Sequence, residues 1–232
     1  MFRKKKNIIY SILVVPLMVS ALLPGVVWYI QNESSGSVSA AELVVLLPAF
    51  TFFYLILAGL IPTTIASYSI VGEKVEKSME PLLATPTTDG EILVGKGVAA
   101  FIPPVAAVLG GATLFMGLVD IFSVGLLGYY FFPNWNAAIV LFMMVPLAIV
   151  ISVEWNILVS SRVSDVRIAQ QLGSLLLLPY GGLYVLGELG IVPLGDTNTL
   201  LIMSGVLALV ALLILYAVRA TFEREQILTR WK

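Results

Sequence analysis

The residue types that most often do chemistry in proteins are scarce in this sequence. Its 232 residues include no histidine and no cysteine. The commonest zinc ligands, the usual proton carrier at neutral pH and any thiolate nucleophile are therefore missing from the sequence. A Ser/Lys or Asp/Asp arrangement remains possible in principle, but the long apolar segments contain no lysine and no pair of aspartates. We therefore expect that the chain is not an enzyme.

One short stretch approaches a nucleotide-binding motif. Residues 90–97 read GEILVGKG, which is close to the phosphate-binding pattern G-x-x-x-x-G-K-[ST]. Gly97 stands where the motif has the hydroxyl that holds Mg²⁺, and no strand pattern precedes the stretch. We predict that this chain carries no cofactor, and that any ATP and Mg²⁺ bind to another chain.

The composition indicates a membrane protein. Hydrophobic residues make up 59% of the sequence and charged residues only 12%, whereas soluble domains carry about 25% charged residues. A soluble fold of this length could not bury so much apolar surface. The sequence therefore predicts an all-α integral membrane protein, with one transmembrane domain over residues 1–232 and no separate soluble domain.

Six apolar segments are each long enough to cross about 30 Å of hydrocarbon as a helix. Their approximate ranges are 8–30, 43–70, 98–121, 137–159, 166–189 and 200–217. The first is longer than the roughly 7–15 apolar residues of a signal peptide, so we expect it to remain as a span. The fifth contains Pro179, Gly181 and Gly182, which could break its helix.

The distribution of charge predicts the orientation. With six spans and both termini in the cytoplasm, all thirteen Lys and Arg residues lie on the inner side. The outer loops then carry acidic residues only. A five-span arrangement would instead place Arg162 and Arg167, or the basic tail, outside. We therefore predict a multi-pass protein of the cell membrane.

Two carboxylates near the ends of apolar segments are candidate functional groups. Glu154 lies within the fourth segment, one to two turns from its inner end, and a carboxylate inside a membrane is by default a functional hypothesis. The alternative is that it reaches the interface or pairs with Arg162 or Arg167. Glu188 lies at the outer end of the fifth segment, where an acidic mouth would suit a cationic cargo.

The longest polar interruption of the chain is residues 72–97, between the second and third segments. Ser78 can cap a short helix in which Pro81 falls in the first turn, where a missing N–H costs little. Pro86 disfavours the α conformation at Thr85 and so ends this helix after about two turns.

Two further features complete this polar stretch. Leu82 and Leu83 give the short helix an apolar edge, which is what a helix needs to lie on the membrane face or in the groove of a partner. Thr88 and Glu91 have the spacing of a capping box that opens the next helix. A plain solvated loop is the alternative interpretation.

The same stretch resembles the first cytoplasmic loop of permease subunits in the type-2 ABC exporter family. The family pattern has Gly-Glu-Lys/Arg, a spacer, Glu-x-Leu-Leu-x-Thr-Pro, an acidic residue, and Gly-Lys before the third span. It is matched here by Gly72, Glu73, Lys74, Glu80, Leu82, Leu83, Thr85, Pro86, Glu91, Gly95 and Lys96. The resemblance implies a short cytoplasmic coupling helix that docks on a separate ATPase subunit. The coupling residues that it implies are Glu73, Ser78, Glu80, Pro81, Leu82, Leu83, Thr85 and Pro86.

A second candidate coupling element follows the fourth segment. It resembles the Ser-Arg-x-x-x-x-x-x-Ala-Gln stretch of the same permeases, and its residues are Ser161, Arg162, Asp165 and Arg167. Ser164 or Asp165 can cap the following helix. A capped turn with inward-facing positive charges is the alternative.

The resemblance implies the membrane half of an ATP-driven exporter. Two permeases, identical or paralogous, would lie side by side in the lipid bilayer above two ATPase subunits and move a drug, lipid, peptide or ion outward. No nucleic-acid partner is expected. Hydroxyls on the second segment, such as Thr51, Tyr54 and Thr63, would suit a lipidic cargo. An ATP-independent channel or carrier is the alternative, although such proteins usually place several ionisable groups near the middle of the membrane.

Overall fold

The computed structural model of the protein describes residues 2–33, 40–76 and 86–221, which form a bundle of α-helices. The helices are α1 (Phe2–Glu33), α2 (Ala40–Ala66), α3 (Tyr68–Val75), α4 (Asp89–Leu127), α5 (Trp135–Ile139), α6 (Val145–Arg162), α7 (Val166–Gly173), α8 (Leu177–Glu188) and α9 (Thr197–Thr221). A π-helical turn, Val140–Met144, joins α5 to α6, and a 3-10 turn, Ser174–Leu176, joins α7 to α8.

Within the described residues, five helical stretches are long and apolar enough to cross a membrane. They are Ile12–Tyr29, Leu43–Glu73, Asp89–Leu127, Trp135–Arg162 and Thr197–Thr221. Each overlaps one of the six predicted segments. The protein is therefore an all-α, multi-pass membrane protein, as its composition predicts.

The remaining predicted segment, residues 166–189, is helical but is not one long helix. It consists of α7, the 3-10 turn and α8, and neither helix alone has the length of a span. The segment is broken as predicted, but the break is the 3-10 turn just before Pro179, whereas Pro179 to Gly182 themselves lie within α8. Pro179 is the third residue of α8, where the backbone N–H would have no acceptor within the helix. That residues 166–189 cross the membrane, as the six-span topology requires, stays a prediction.

The π-helical turn lies directly before a proline. Pro146 is the second residue of α6, and its ring would meet the carbonyl group of Phe142 in a regular α-helix. The wider turn over Val140–Met144 separates the two groups, so the helical stretch continues from Trp135 to Arg162 without ending at the proline.

α2 and α6 run parallel and are joined by polar side chains at four-residue intervals. Three hydrogen bonds connect residues that are 93 positions apart, namely Ser152 to Gly59, Asn156 to Thr63 and Ser160 to Ser67. A constant separation means that both helices point the same way, as two alternate spans of one chain must. Small polar residues allow this close approach between membrane helices.

Tyr54 joins α1, α2 and α4 in the middle of the bundle. Its hydroxyl lies 2.6 Å from Ser20 Oγ of α1 and donates to the Gly111 carbonyl oxygen of α4 at 3.3 Å. A Cβ on Gly111 would lie 3.0 Å from Pro16 Cβ, so the glycine allows α4 to approach α1. Tyr54, Thr51 and Thr63 are all buried in packing between or within helices, and these hydroxyls therefore say nothing about a cargo.

Candidate functional site

The chain bends between α2 and α3, and a side chain from α6 fills the bend. Ser160 Oγ donates to the carbonyl oxygen of Ser67 at 2.8 Å and accepts from the N–H groups of Ile70 at 3.2 Å and Val71 at 3.0 Å. A serine hydroxyl has one donor and two acceptor positions, and all three are used. Insertion of a side chain into the helical hydrogen-bond ladder is a known cause of a kink. Ser160 therefore helps to set the direction in which α3 leaves α2.

Gly72, the first residue of the family-like pattern, has a structural role in α3. The ring of Tyr68 lies across the backbone at Gly72, and any Cβ there would overlap the ring. The Tyr68 hydroxyl donates to Glu76 Oε1 at 2.7 Å. Tyr68 thus braces α3 along its length, and only glycine leaves room for it.

An ion pair joins α3 to α4. Lys96 Nζ lies 2.5 Å from Glu73 Oε2 and also donates to the Ser69 carbonyl oxygen at 2.6 Å. The Lys96 side chain is 11% exposed and that of Glu73 is 36% exposed, so the pair is partly shielded from water. A charge-assisted bond in such a setting is stronger than one at a fully exposed surface. The sequence pattern contains both residues but does not indicate that they meet.

The start of α4 has the predicted cap. Thr88 Oγ1 accepts from the Glu91 N–H at 3.3 Å, and Glu91 Oε2 accepts from the Thr88 N–H at 2.7 Å. This reciprocal arrangement is a capping box. It confirms the prediction and fixes the point at which the polar stretch enters α4, three residues after the exposed Pro86.

Most of the predicted coupling helix lies outside the described residues. This applies to Ser78, Glu80, Pro81, Leu82, Leu83 and Thr85, whereas Glu73 and Pro86 are described. The structure therefore describes the helices on either side of residues 77–85, which are α3 and α4. α3 ends at Val75, α4 begins at Asp89, and the Lys96–Glu73 ion pair connects the two helices.

The second predicted loop lies beside α3. Asp165 Oδ1 accepts from the Arg167 N–H at 2.6 Å and caps α7, as predicted. Ser161 Oγ donates to the Leu158 carbonyl oxygen at 2.7 Å, and Arg162 and Arg167 are exposed. Because α3 packs against both α6 and α7, Glu73 of the first predicted coupling element and the second loop lie at one end of the bundle. We call this the α3 end.

The two candidate carboxylates differ in their exposure to solvent. Glu188 is exposed at the last residue of α8. Glu154 is half-buried on α6, in a groove of about 270 Å³ between α4 and α9. Arg219 of α9 lines the same groove, and of the other two candidate partners neither Arg162 nor Arg167 is among its lining residues. The sequence does not indicate this pairing of α6 with α9.

Asp120 holds the connection between α4 and α5 through hydrogen bonds that the sequence does not predict. Its Oδ1 accepts from the N–H groups of Phe131 at 2.9 Å and Phe132 at 3.0 Å. The buried Phe132 ring packs against Phe115 of α4. The connection between α4 and α5 is therefore folded back onto α4, at the opposite end of the bundle from α3.

Comparison of the chain with protein-family models, with curated proteins and with solved structures found no match. The functional argument therefore depends on the residues of 72–97, on the second loop and on the geometry that surrounds them.

Proposed function

We propose that the protein is the membrane-spanning permease subunit of an ATP-driven exporter of the type-2 ABC class. Two copies, or one copy with a paralogue, would form the transport unit in the cell membrane with both termini and the α3 end in the cytoplasm. Two ATPase subunits would bind at this end and carry the ATP and Mg²⁺. The resemblance of residues 72–97 and the placement of all thirteen Lys and Arg residues on one side in a six-span topology support this proposal.

The observation that carries the proposal is the ion pair between Glu73 and Lys96. The segment proposed to dock on the ATPase has one of these residues before it and the other after it. If α3 and α4 were not connected, movement of residues 77–85 on the ATPase could displace either helix alone. The ion pair connects the two helices, so the same movement would displace α3 and α4 together. The Glu73–Lys96 contact, at 2.5 Å and partly shielded from water, supports such a connection between α3 and α4.

The second loop would act on the same elements. Ser160 holds the base of α3 and is followed directly by Ser161, the first residue of that loop. Movement of an ATPase against residues 161–167 would thus reach α3 through α6. Two contact points that converge on one helix would let a single closure of the ATPases move several spans.

Co-purification tests the assembly. The chain is co-expressed with an ATPase encoded beside it, the permease is captured, and bound ATPase is measured for wild type, Glu80→Lys and Pro86→Ala. We expect a stable complex for wild type and loss of the ATPase in both variants. Absence of a complex with wild type would overturn the proposal in favour of an ATP-independent channel or carrier.

Coupling is tested separately with Glu73→Gln, Lys96→Met and the swapped pair Glu73→Lys with Lys96→Glu. We expect the single variants to retain the ATPase but to lower export per ATP hydrolysed several-fold, because α3 and α4 lose the ion pair that connects them. The swapped pair should recover part of the loss. Asp120→Asn, which removes an acid at the other end of the bundle but keeps an acceptor oxygen for Phe131 and Phe132, is the matched control. Unchanged export in both single variants would show that the pair does not couple.

A further inference from the structure

The groove that holds Glu154 is an apolar site with a charged group on its floor. α4 and α9 form its walls and α6 forms its floor, since both wall helices pack against α6. Val94, Val98 and Phe101 line one wall, and Val94 and Val98 are each about half exposed. These exposed valines lie on a helix long and apolar enough to span the membrane. A molecule dissolved in the bilayer could therefore enter the groove from the side.

Glu154 is the polar feature that an occupant must satisfy. Its Oε2 atom is buried and accepts no hydrogen bond from any residue that the structure describes. A carboxylate oxygen in apolar surroundings is costly without a donor. A neutral acyl chain would leave that cost in place. The long apolar segments of a second copy contain no lysine and would bring no ammonium group to it.

Arg219 defines the other end of the groove. It is an exposed residue in the last turn of α9, and together with Asp89 and Gly90 it lines a second pocket that adjoins the groove at the α3 end. Glu154 lies further along α6, roughly two turns before its end at Arg162. The charges are thus ordered with the positive group at the mouth and the negative group deeper.

This order separates the classes of amphiphile. A phospholipid would bring its phosphate, not its ammonium group, next to the acyl chains and hence towards Glu154. An amine attached directly to an apolar tail instead places a cationic donor beside Glu154 and the tail along Val98 and Phe101. We propose that the groove binds a single alkyl amine or similar lipophilic amine, with its ammonium group on the Glu154 carboxylate.

Radiolabelled dodecylamine tests the site on the purified chain alone, in neutral maltoside detergent, by a scintillation proximity assay. We expect saturable binding of one molecule per chain. Glu154→Gln should weaken it by about tenfold or more, because it removes the charge partner while preserving shape. Arg219→Gln should strengthen it, because a like charge leaves the mouth of the groove. Asp120→Asn removes a carboxylate charge at the opposite end of the bundle while keeping an acceptor oxygen for Phe131 and Phe132, so it is the control and should bind as wild type does.

Competitors identify the occupant. Unlabelled dodecanol should compete poorly, because it has the same tail without the charge. Equal competition by dodecanol, or unchanged binding to Glu154→Gln, would overturn the proposal. Stronger competition by dodecyl phosphate, together with loss of binding in Arg219→Gln, would instead identify a site for an anionic lipid. No ATPase is present in the assay, so its outcome is independent of the exporter proposal.

Discussion

Ser160 Oγ lies 2.8 Å from the backbone carbonyl oxygen of Ser67, and this hydrogen bond ties the end of α6 to the bend between α2 and α3. The same hydroxyl accepts from two N–H groups in the first turn of α3. One small side chain thus holds the origin of α3 and, through α3, the position of the Glu73–Lys96 pair.

Removal of this hydroxyl should destabilise the bundle. We expect Ser160→Ala to lower the free energy of unfolding by about 1–3 kcal/mol, because the buried N–H groups of Ile70 and Val71 lose their acceptor. Thermal unfolding in detergent and hydrogen exchange at these two amides measure the effect. Ser174→Ala is the control, since that hydroxyl bonds only to Gln171 of its own helical run. Unchanged exchange at Ile70 and Val71 would mean that the helical ladder closes without Ser160.

Gly173 should tolerate no larger residue. A Cβ there would overlap Asn156 Oδ1 and lie 3.2 Å from Thr63 Cγ2, in fully packed surroundings. We expect Gly173→Ala to cost about 1–3 kcal/mol of stability by overpacking. Gly182→Ala, in the same helical run with nothing within 4 Å of the new Cβ, should be neutral or slightly stabilising. Thermal unfolding of the two variants compares them, and equal effects would contradict the close packing of α7 on α6.

Asp120 should control access to the connection between α4 and α5. Asp120→Ala removes the acceptor for two backbone N–H groups, at a cost of about 1–3 kcal/mol, and should speed chymotrypsin cleavage after Tyr129 or Tyr130 by about tenfold. Asp120→Asn keeps an acceptor oxygen and should resemble wild type. Equal cleavage of all three proteins would show that the connection is held by Phe132 alone.

Asp196 should make the start of α9 sensitive to acid. Hydrogen bonds from the N–H and hydroxyl of Thr199, both at 2.9 Å, hold the pKa of the Asp196 carboxyl below its ordinary value. Because the folded pKa is lowered, the stabilisation is present above the unfolded pKa and is lost as the pH falls through the folded pKa. Asp196→Asn should therefore lower the melting temperature at pH 7, and its difference from wild type should shrink below about pH 4. A difference that stays constant from pH 7 to pH 3 would contradict this role.

Caps are the features that the sequence predicts most directly. The capping box of Thr88 and Glu91 and the cap of α7 by Asp165 each join residues two or three positions apart. Their geometry follows from local backbone conformation alone. The break in residues 166–188 shows the limit of such reasoning. Pro179 has the same sequence signal at the start of a helix as within one, so the sequence did not indicate that α8 begins at Leu177.

The sequence by itself determined the class of the protein and the positions of its long helices, because apolar length and composition are properties of short stretches of chain. It also supplied the pattern from which a coupling segment is proposed. Only the tertiary structure decided that Lys96 meets Glu73, that Ser160 fills the bend at Ser67, and that Arg219 and Glu154 line one groove. Lipid and protein interior are similarly apolar, so hydropathy does not reveal which face of a membrane helix meets which neighbour. That choice follows from the packing of all the helices together.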